Sequence, residues 1–331
     1  MDHFDALEKL VKEGKITKDL SPVIRDFFLS YDDAIKENGF TTDEVKPILT
    51  QFINLVAEQL ASPYPFEIYH QRILSPTNYY RFGIDILRPL VDFPHSKVKG
   101  LDNLNDIEQK LANGENVILL ANHQTEPDPQ AISLLLERSH PRFAEDIIFV
   151  AGHRVTTDPL AIPFSMGRNL LCIYSKRHIE TPPEQKQQKL LHNQRTMKKM
   201  AQLLDEGGKC IYVAPSGGRD RKDSDGIVRV APFDPQSIEM FRLIASNSDK
   251  PTHFYPLSLV TYDLLPPPNS IEKNLGERRN ARCTPIHLAF GKEVDLDSFP
   301  GNDHPDKNQR RQNRADYIWS LVNDAYHSLT I

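Results

Sequence analysis

The chain has 331 residues, of which 39% are hydrophobic and 26% charged, and its formal net charge is -5. This is ordinary globular composition, with length for a large core and for two domains, and it fits no disordered or repetitive class. The acidic balance and scattered lysines offer no extended basic face, which argues against nucleic-acid binding.

No apolar stretch approaches the roughly 18 uninterrupted residues of a membrane span. The start, Met1-Asp2-His3-Phe4-Asp5, lacks the charged-then-apolar order of a signal peptide and the Arg- and Ser-rich character of a transit peptide. The chain therefore reads as soluble. Its cysteines, Cys172, Cys210 and Cys283, are widely spaced, and the first two lie in apolar runs. Free thiols in a reducing compartment are expected. No Cys/His cluster has zinc spacing and no acidic loop has calcium spacing, so neither metal nor cofactor is expected.

In chain order, Ser21-Pro22 reads as a cap followed by proline in the first turn, and Val23, Ile24, Phe27, Phe28, Tyr31 and Ile35 follow at helical spacing until Asn38-Gly39. Thr41-Thr42-Asp43-Glu44 supplies a capping box for a second helix with Val45, Ile48, Leu49, Phe52, Ile53, Val56 and Leu60 on one face. The pattern predicts an N-terminal helical bundle over residues 1–70. The stretch from Ser62 to Pro65 marks a junction, and the residues from Phe66 to Leu90 carry no clear period.

After Gly100, apolar runs recur at Val117-Ala121, Ile147-Val150, Leu170-Tyr174, Cys210-Ala214, Phe254-Val260 and Ile286-Phe290, with helical segments between several of them. This predicts a larger α/β domain over 71–331, with a mixed, largely parallel sheet flanked by helices, whose functional groups gather at strand ends.

The segment Asn122-His123-Gln124-Thr125-Glu126-Pro127-Asp128-Pro129 follows the first of these strands. His123 thus sits at the carboxyl end of a buried strand, and the flanking prolines stiffen a loop that can fold Asp128 back onto the imidazole. Asp128-Pro129 before Ala131-Ile132-Ser133-Leu134 is equally a good helix cap with proline at the first position. Both readings stand at this point.

Two further strands each deliver a basic cluster: Tyr174 is followed by Ser175-Lys176-Arg177-His178, and Ala214-Pro215 by Ser216-Gly217-Gly218-Arg219-Asp220-Arg221-Lys222. Gly217-Gly218 permits close backbone approach to an oxyanion, and two guanidinium forks suit a phosphate. Arg177 and His178 complete such a cage if their strand is the neighbour. Alone, the second cluster reads as a solvated loop neutralised by Asp220, Asp223 and Asp225. Two basic clusters and a His-x4-Asp corner at the strand ends of one sheet point instead to a site.

The strings around His123, together with Phe149-Val150-Ala151-Gly152, the run from Pro163 to Leu170 and Ala214-Pro215-Ser216-Gly217-Gly218-Arg219-Asp220-Arg221, resemble the soluble glycerol-3-phosphate acyltransferases of plastids. The resemblance extends over nearly the whole chain. It implies transfer of an acyl group from acyl-(acyl carrier protein), or acyl-CoA, to the sn-1 hydroxyl of glycerol 3-phosphate, the first step of phospholipid synthesis. It also implies His123 as base, oriented by Asp128, and Arg177, His178, Arg219 and Arg221 as phosphate ligands. Where the family commonly has two lysines before that histidine, this chain has Lys176-Arg177. Charge is kept while reach and hydrogen-bond geometry change.

An imidazole removing the proton of an attacking alcohol is coherent chemistry without the resemblance, and because the nucleophile is substrate, no acyl-enzyme is required. The acidic carrier protein needs a local basic patch, for which the helix over Glu184 to Leu204, with Lys186, Lys189, Arg195, Lys198 and Lys199, is the candidate. The alternatives are a thioester hydrolase using Ser216, which lacks the first glycine of a Gly-x-Ser-x-Gly elbow, and a non-catalytic phosphate- or acyl-binding protein. His70, His153, His253 and His287 read as structural or surface groups. A bacterial-type cytoplasm is the expected compartment, with the plastid stroma, for a processed form, as the alternative.

Overall fold

The computed structural model describes residues 2–268 and 276–330, without the side chain of Arg177. Three helices come first: α1 (His3–Lys12), α2 (Leu20–Glu37) and α3 (Thr42–Ala61). The Glu44 carboxylate accepts from the Thr41 amide and hydroxyl, both at 2.8 Å, as the sequence pattern at the start of α3 expects. The start of α2 differs from expectation. It begins at Leu20 after Asp19, with no side-chain cap, so Ser21 and Pro22 lie inside the first turn. A missing amide hydrogen costs nothing there, because first-turn donors have no helical partner.

Ile24, Phe28, Tyr31 and Ile35 of α2 pack against Leu49, Phe52, Ile53 and Val56 of α3. The same apolar cluster takes in Phe82, Ile84, Leu90, Ala131, Leu134 and Ile162 from the following part of the chain. Phe52 meets the rings of Phe82 and Phe164 at 6.4 and 5.7 Å between centroids, and the Tyr31 hydroxyl donates to the Ile86 carbonyl at 2.7 Å. Each such fully buried side chain contributes roughly 1.5–3 kcal/mol of transfer free energy.

The stretch without a sequence period holds β1 (Tyr69–His70) and α4 (Tyr79–Asp85), the latter capped by Asn78, whose side chain accepts from the Arg81 amide at 2.9 Å. There follow β2 (Lys97–Lys99), α5 (Leu101–Ala112), β3 (Asn116–Ala121), α6 (Asp128–Leu136), α7 (Pro141–Asp146) and β4 (Ile148–Gly152). Next come α8 (Ile162–Ser165), β5 (Asn169–Ile173), α9 (Lys176–Ile179), α10 (Lys186–Glu206) and β6 (Cys210–Val213). A small hairpin of β7 (Arg221–Lys222) and β8 (Val228–Arg229) precedes α11 (Pro235–Ser246), β9 (Thr252–Val260), β10 (His287–Phe290) and α12 (Lys307–Thr330).

Among the described residues the main sheet has eight strands, in the order β1-β5-β4-β6-β3-β9-β10-β2. The strands β5, β4, β6, β3 and β9 run parallel, β1 is antiparallel to β5 and β10 to β9, and β2 pairs with β10 in parallel. The sheet is thus mixed and largely parallel, as expected. β3 lies at its centre with every residue buried, pairing Val117 with Cys210 on one side and with His253 on the other. Burial on both faces explains a run without polar alternation. Ile118 and Leu120 pack with Met200, Leu203, Ile318 and Val322 of α10 and α12 on one face. Val117, Leu119 and Ala121 pack with Leu104, Ile107, Ile132 and Leu136 of α5 and α6 on the other.

The connections fix where a site can form. From β3 the chain crosses through α6 to β4, beyond β6, on the face of α6. From β6 it crosses through α11 to β9, beyond β3, on the opposite face, where Ile238 and Phe241 join the cluster of α10 and α12. The chain leaving β3 and that leaving β6 therefore run to opposite faces, the arrangement that in open α/β sheets places a ligand crevice at the carboxyl ends of two neighbouring strands.

Candidate active site

His123 stands at this crevice on a loop held by its polar neighbours. The Asn122 side chain donates to Asp220 Oδ2 (2.9 Å) and to the Leu259 carbonyl (3.0 Å) and accepts from the Leu259 amide (2.8 Å). Gln124 Oε1 accepts from the amides of Thr261 (2.7 Å) and Tyr262 (3.1 Å), and Thr125 Oγ1 donates to the Leu265 carbonyl (2.6 Å). Asn122, Gln124 and Thr125 are fully buried, so each needs such partners. They peg the loop to the ends of β6 and β9 and leave His123 about a third exposed, at 31%.

Asp128 resolves the two readings of its sequence position. It is the first residue of α6, with Pro127 before it, and its side chain makes no capping bond to that helix. It turns back instead. Oδ2 accepts from His123 Nδ1 (2.7 Å) and the Gln124 amide (2.9 Å), and Oδ1 from the Thr125 amide (3.2 Å) and Thr261 Oγ1 (2.5 Å). At 1% exposure the carboxylate is fixed by these four donors. With Nδ1–H committed to Asp128, the lone pair of the imidazole sits on Nε2.

The Arg219-Asp220-Arg221 string joins the same corner. The Asp220 amide donates to the His123 carbonyl at 2.6 Å, and its buried carboxylate accepts from Asn122, Gln124 and the Ala231 amide. Burial pushes the Asp220 carboxyl up to about 6 against those bonds. Asp220 therefore points inward and does not neutralise its arginine neighbours, and Asp223 pairs with Arg229 at 2.7 Å. Arg219 Nη2 instead meets both oxygens of Glu277, at 2.7 and 2.8 Å, while Arg221 donates to the Pro268 carbonyl at 2.8 Å. Both guanidiniums act on Tyr262: burial raises its phenol, and Arg221, Arg282 and Arg219 oppose that rise. Ser216 Oγ donates to the Gly218 carbonyl at 2.9 Å.

The Lys176-Arg177-His178 cluster is not on a strand adjacent to β6, because β4 is inserted between β5 and β6. The turn after β4, carrying His153 and Arg154, occupies the intermediate position. The His153 ring lies 4.8 Å from that of His178 and stacks on Tyr174 at 5.0 Å. Burial, then the nearby His178, Lys189 and Arg154, push the His153 imidazole down to about 4. Arg154 Nη2 approaches Glu277 at 3.7 Å, so this turn links the His178 side of the crevice to the Arg219 side. Lys176 pairs with Asp234 at 2.6 Å, and the side chain of Arg177 lies outside the described residues.

A model of the acyltransferase family matches residues 95–260, which span His123, Asp128 and both basic clusters. The chloroplastic glycerol-3-phosphate acyltransferase of Spinacia oleracea is 41% identical over 322 residues, 96% of this chain and 67% of its own length. The chloroplastic enzyme ATS12 of Cucurbita moschata is 39% identical over 98% of this chain and 70% of its own, and the Arabidopsis thaliana protein 36% identical over 99% and 72%. The chain belongs to the glycerol-3-phosphate acyltransferase family. Among solved structures, the 1-acyl-sn-glycerophosphate acyltransferase PlsC from Thermotoga maritima is similar over 76% of this chain and 78% of its own, with a TM-score of 0.41 and 18% identity.

Several charged groups of this acyltransferase that the sequence reading passed over gather beside the same corner. Glu126, inside the His-x4-Asp string, forms a two-pronged pair with Arg279, at 2.7 and 3.0 Å, and Arg279 also reaches Asp158 at 3.2 Å. Burial would raise the Glu126 carboxyl, but Arg279, Arg219 and Arg154 outweigh it and hold it below the usual range. The only sequence signal for this network is the charged string Gly276-Glu277-Arg278-Arg279.

The basic helix is less basic than its sequence. Lys189 is buried and donates to the carbonyls of His178 (2.9 Å) and Thr181 (2.5 Å), while Lys186 pairs with Glu180 and Lys199 with Glu206. Arg195 and Lys198 stay exposed. Of the other histidines, His70 is buried against the Met166 carbonyl and His253 sits between Glu115 and Glu293. Burial raises the Cys172 thiol to about 12. Among the described residues no helix is long and apolar enough to cross a membrane.

Proposed function

We propose that this chain transfers an acyl group from an acyl thioester to the sn-1 hydroxyl of glycerol 3-phosphate, with His123 as general base. The observation that carries the reading is the His123–Asp128 pair at 2.7 Å on the carboxyl end of β3, tied by backbone to the Arg219-Asp220-Arg221 string. His123 Nε2 takes the hydroxyl proton as the oxygen attacks the thioester carbonyl. Asp128 fixes the ring tautomer and stabilises the imidazolium that results. Collapse of the tetrahedral intermediate breaks the C–S bond, and the imidazolium returns its proton to the departing sulfur. Proton transfer of this kind contributes about 10²–10⁴-fold.

Arg219, Arg221, His178 and Arg177 are proposed to hold the phosphate so that one hydroxyl faces His123, which is catalysis by positioning. The donor is proposed to be acyl-(acyl carrier protein), with acyl-CoA as a second substrate, and Arg195 and Lys198, both exposed on α10, would meet an acidic carrier. The chloroplastic names of the relatives favour the plastid stroma over a bacterial-type cytoplasm.

The test is release of carrier thiol from palmitoyl-(acyl carrier protein), with and without glycerol 3-phosphate, for the wild type, His123→Ala and Arg219→Ala. The reading expects acceptor-dependent release that falls at least about 10²-fold in His123→Ala, while Arg219→Ala acts mainly on the acceptor KM. Release that ignores the acceptor would make the protein a thioester hydrolase.

A further inference from the structure

Arg219 already holds an anion. Its Nη2 contacts both carboxylate oxygens of Glu277, at 2.7 and 2.8 Å, with side-chain exposures of 18% and 8%. Arg154 Nη2 approaches the same carboxylate at 3.7 Å. Arg279 is bound elsewhere: its fork is closed on Glu126, it reaches Asp158, and it touches Glu277 only through the backbone carbonyl, at 2.7 Å. The Glu277 carboxylate thus serves Arg219 and Arg154, which come from the ends of β6 and β4, and it is supplied by a segment beyond β9.

We infer that Glu277 is an internal counter-ion that the acceptor phosphate displaces from Arg219, and that it sets the acceptor KM. The inference rests on the proposed phosphate-binding role of Arg219. A carboxylate brings one negative charge and two oxygens, whereas a phosphomonoester near neutral pH brings almost two charges and three acceptor oxygens. Exchange is therefore favourable for the phosphate ester. A neutral polyol such as glycerol carries nothing that can replace Glu277 at a guanidinium of low exposure, where an unpartnered charge is costly. The carboxylate keeps Arg219 satisfied and placed between turnovers, and it raises the concentration at which acceptor binds.

The experiment is steady-state kinetics with glycerol 3-phosphate for the wild type, Glu277→Gln, Glu277→Asp and Arg219→Ala, with inorganic phosphate as competitor. Glu277→Gln is expected to lower the acceptor KM and the phosphate inhibition constant in parallel. The size is on the order of tenfold, the effect of one charge a few ångström away in a partly wetted site, and it is carried by KM and not by kcat. Glu277→Asp, whose shorter side chain withdraws the carboxylate from the fork, should move the same way by less, and it decides the matter if the glutamine variant does not fold. An acceptor KM that is unchanged or raised in both Glu277 variants, while Arg219→Ala raises it, overturns the counter-ion inference alone. An acceptor KM untouched by Arg219→Ala overturns the phosphate assignment of Arg219, and the inference with it.

Discussion

Replacing Thr261 with valine keeps the shape of a residue that is 1% exposed and deletes one hydroxyl. That hydroxyl donates to Asp128 Oδ1 at 2.5 Å, the shortest of the four contacts holding this carboxylate, and among the described residues it is the only side-chain donor on that oxygen. A hydrogen bond to a charged group is worth about 1.5–3 kcal/mol, and a buried acceptor that loses its partner carries the full desolvation penalty. Thr261→Val should therefore lower unfolding free energy by roughly 2 kcal/mol. The Gln124 and Thr125 amides remain, so the carboxylate keeps its place near the loop but gains freedom to rotate about its last bond. If His123 depends on Oδ2 being aimed at Nδ1, part of that loss reappears in the barrier, and about 1.4 kcal/mol of it is a tenfold fall in kcat. The assay pairs urea unfolding with acceptor-dependent thiol release, using Thr261→Ser as the control that restores the hydroxyl. A Thr261→Val protein destabilised by the expected amount with kcat within about twofold of wild type would refute the reasoning, since Asp128 would then be aimed by backbone amides alone.

A half-buried histidine and a buried aspartate should give opposite pH dependence of stability. The His153 imidazole is pushed down from 6.5 to about 4, so its contribution is complete above pH 6.5 and is lost as pH falls towards 4. The Asp220 carboxyl is raised from 3.8 to about 6, so its contribution is present below 3.8 and is lost as pH rises through 6. Each amounts to at most about 3 kcal/mol, and they offset one another across the shared window. Relative to wild type, His153→Asn should lose stability on going from pH 4 to pH 6.5, and Asp220→Asn should gain it. Urea midpoints that track wild type at both ends would refute the assignment. Gly167→Ala tests a close approach: a β-carbon there would lie 2.5 Å from the Tyr79 carbonyl group and 2.7 Å from the Tyr80 nitrogen. Backbone cannot move aside as a side chain can, so a loss of about 1–3 kcal/mol is expected, and an unchanged urea midpoint would contradict it.

The parts of this architecture that were legible in the sequence are those with a period or a stiff local turn. β3 announces itself through six residues that tolerate burial on both faces, and α3 through its apolar face and the Thr41–Glu44 start. The His123–Asp128 corner is local enough, and sufficiently constrained by Pro127 and Pro129, for its chemistry to be seen, although only the fold-back of the carboxylate separates it from a helix cap. Strands as short as β1, β7 and β8 have no room for alternation, and β1 depends on a partner about a hundred residues further along the chain. Insertion of β4 between β5 and β6 is likewise a topological fact that no local pattern encodes, and it is why the turn of His153 and Arg154 was passed over. The ion network is the extreme case. Arg219 and Glu277 are 58 positions apart, and Glu126 and Arg279 are 153. Arg219 is legible as a candidate anion ligand, but nothing local shows that Glu126, Glu277 and Arg279 are its surroundings until the sheet brings the loops together.

The apolar cluster that runs from α2 and α3 into the residues around α4 and α8 bears on how relatives in this family can be recombined. Phe52 touches Phe82 and Phe164, and Tyr31 is anchored on the Ile86 carbonyl, so the contact between the first sixty residues and the rest includes interlocking aromatic rings. An exchange of the N-terminal helices between two such enzymes would graft one half of a jigsaw onto another, and differences in acyl selectivity measured on the hybrid would mix altered substrate contacts with a strained core. Carrying Phe82, Ile86 and Phe164 along with the helices would keep both halves of the interface from one parent, so that the hybrid reports on selectivity.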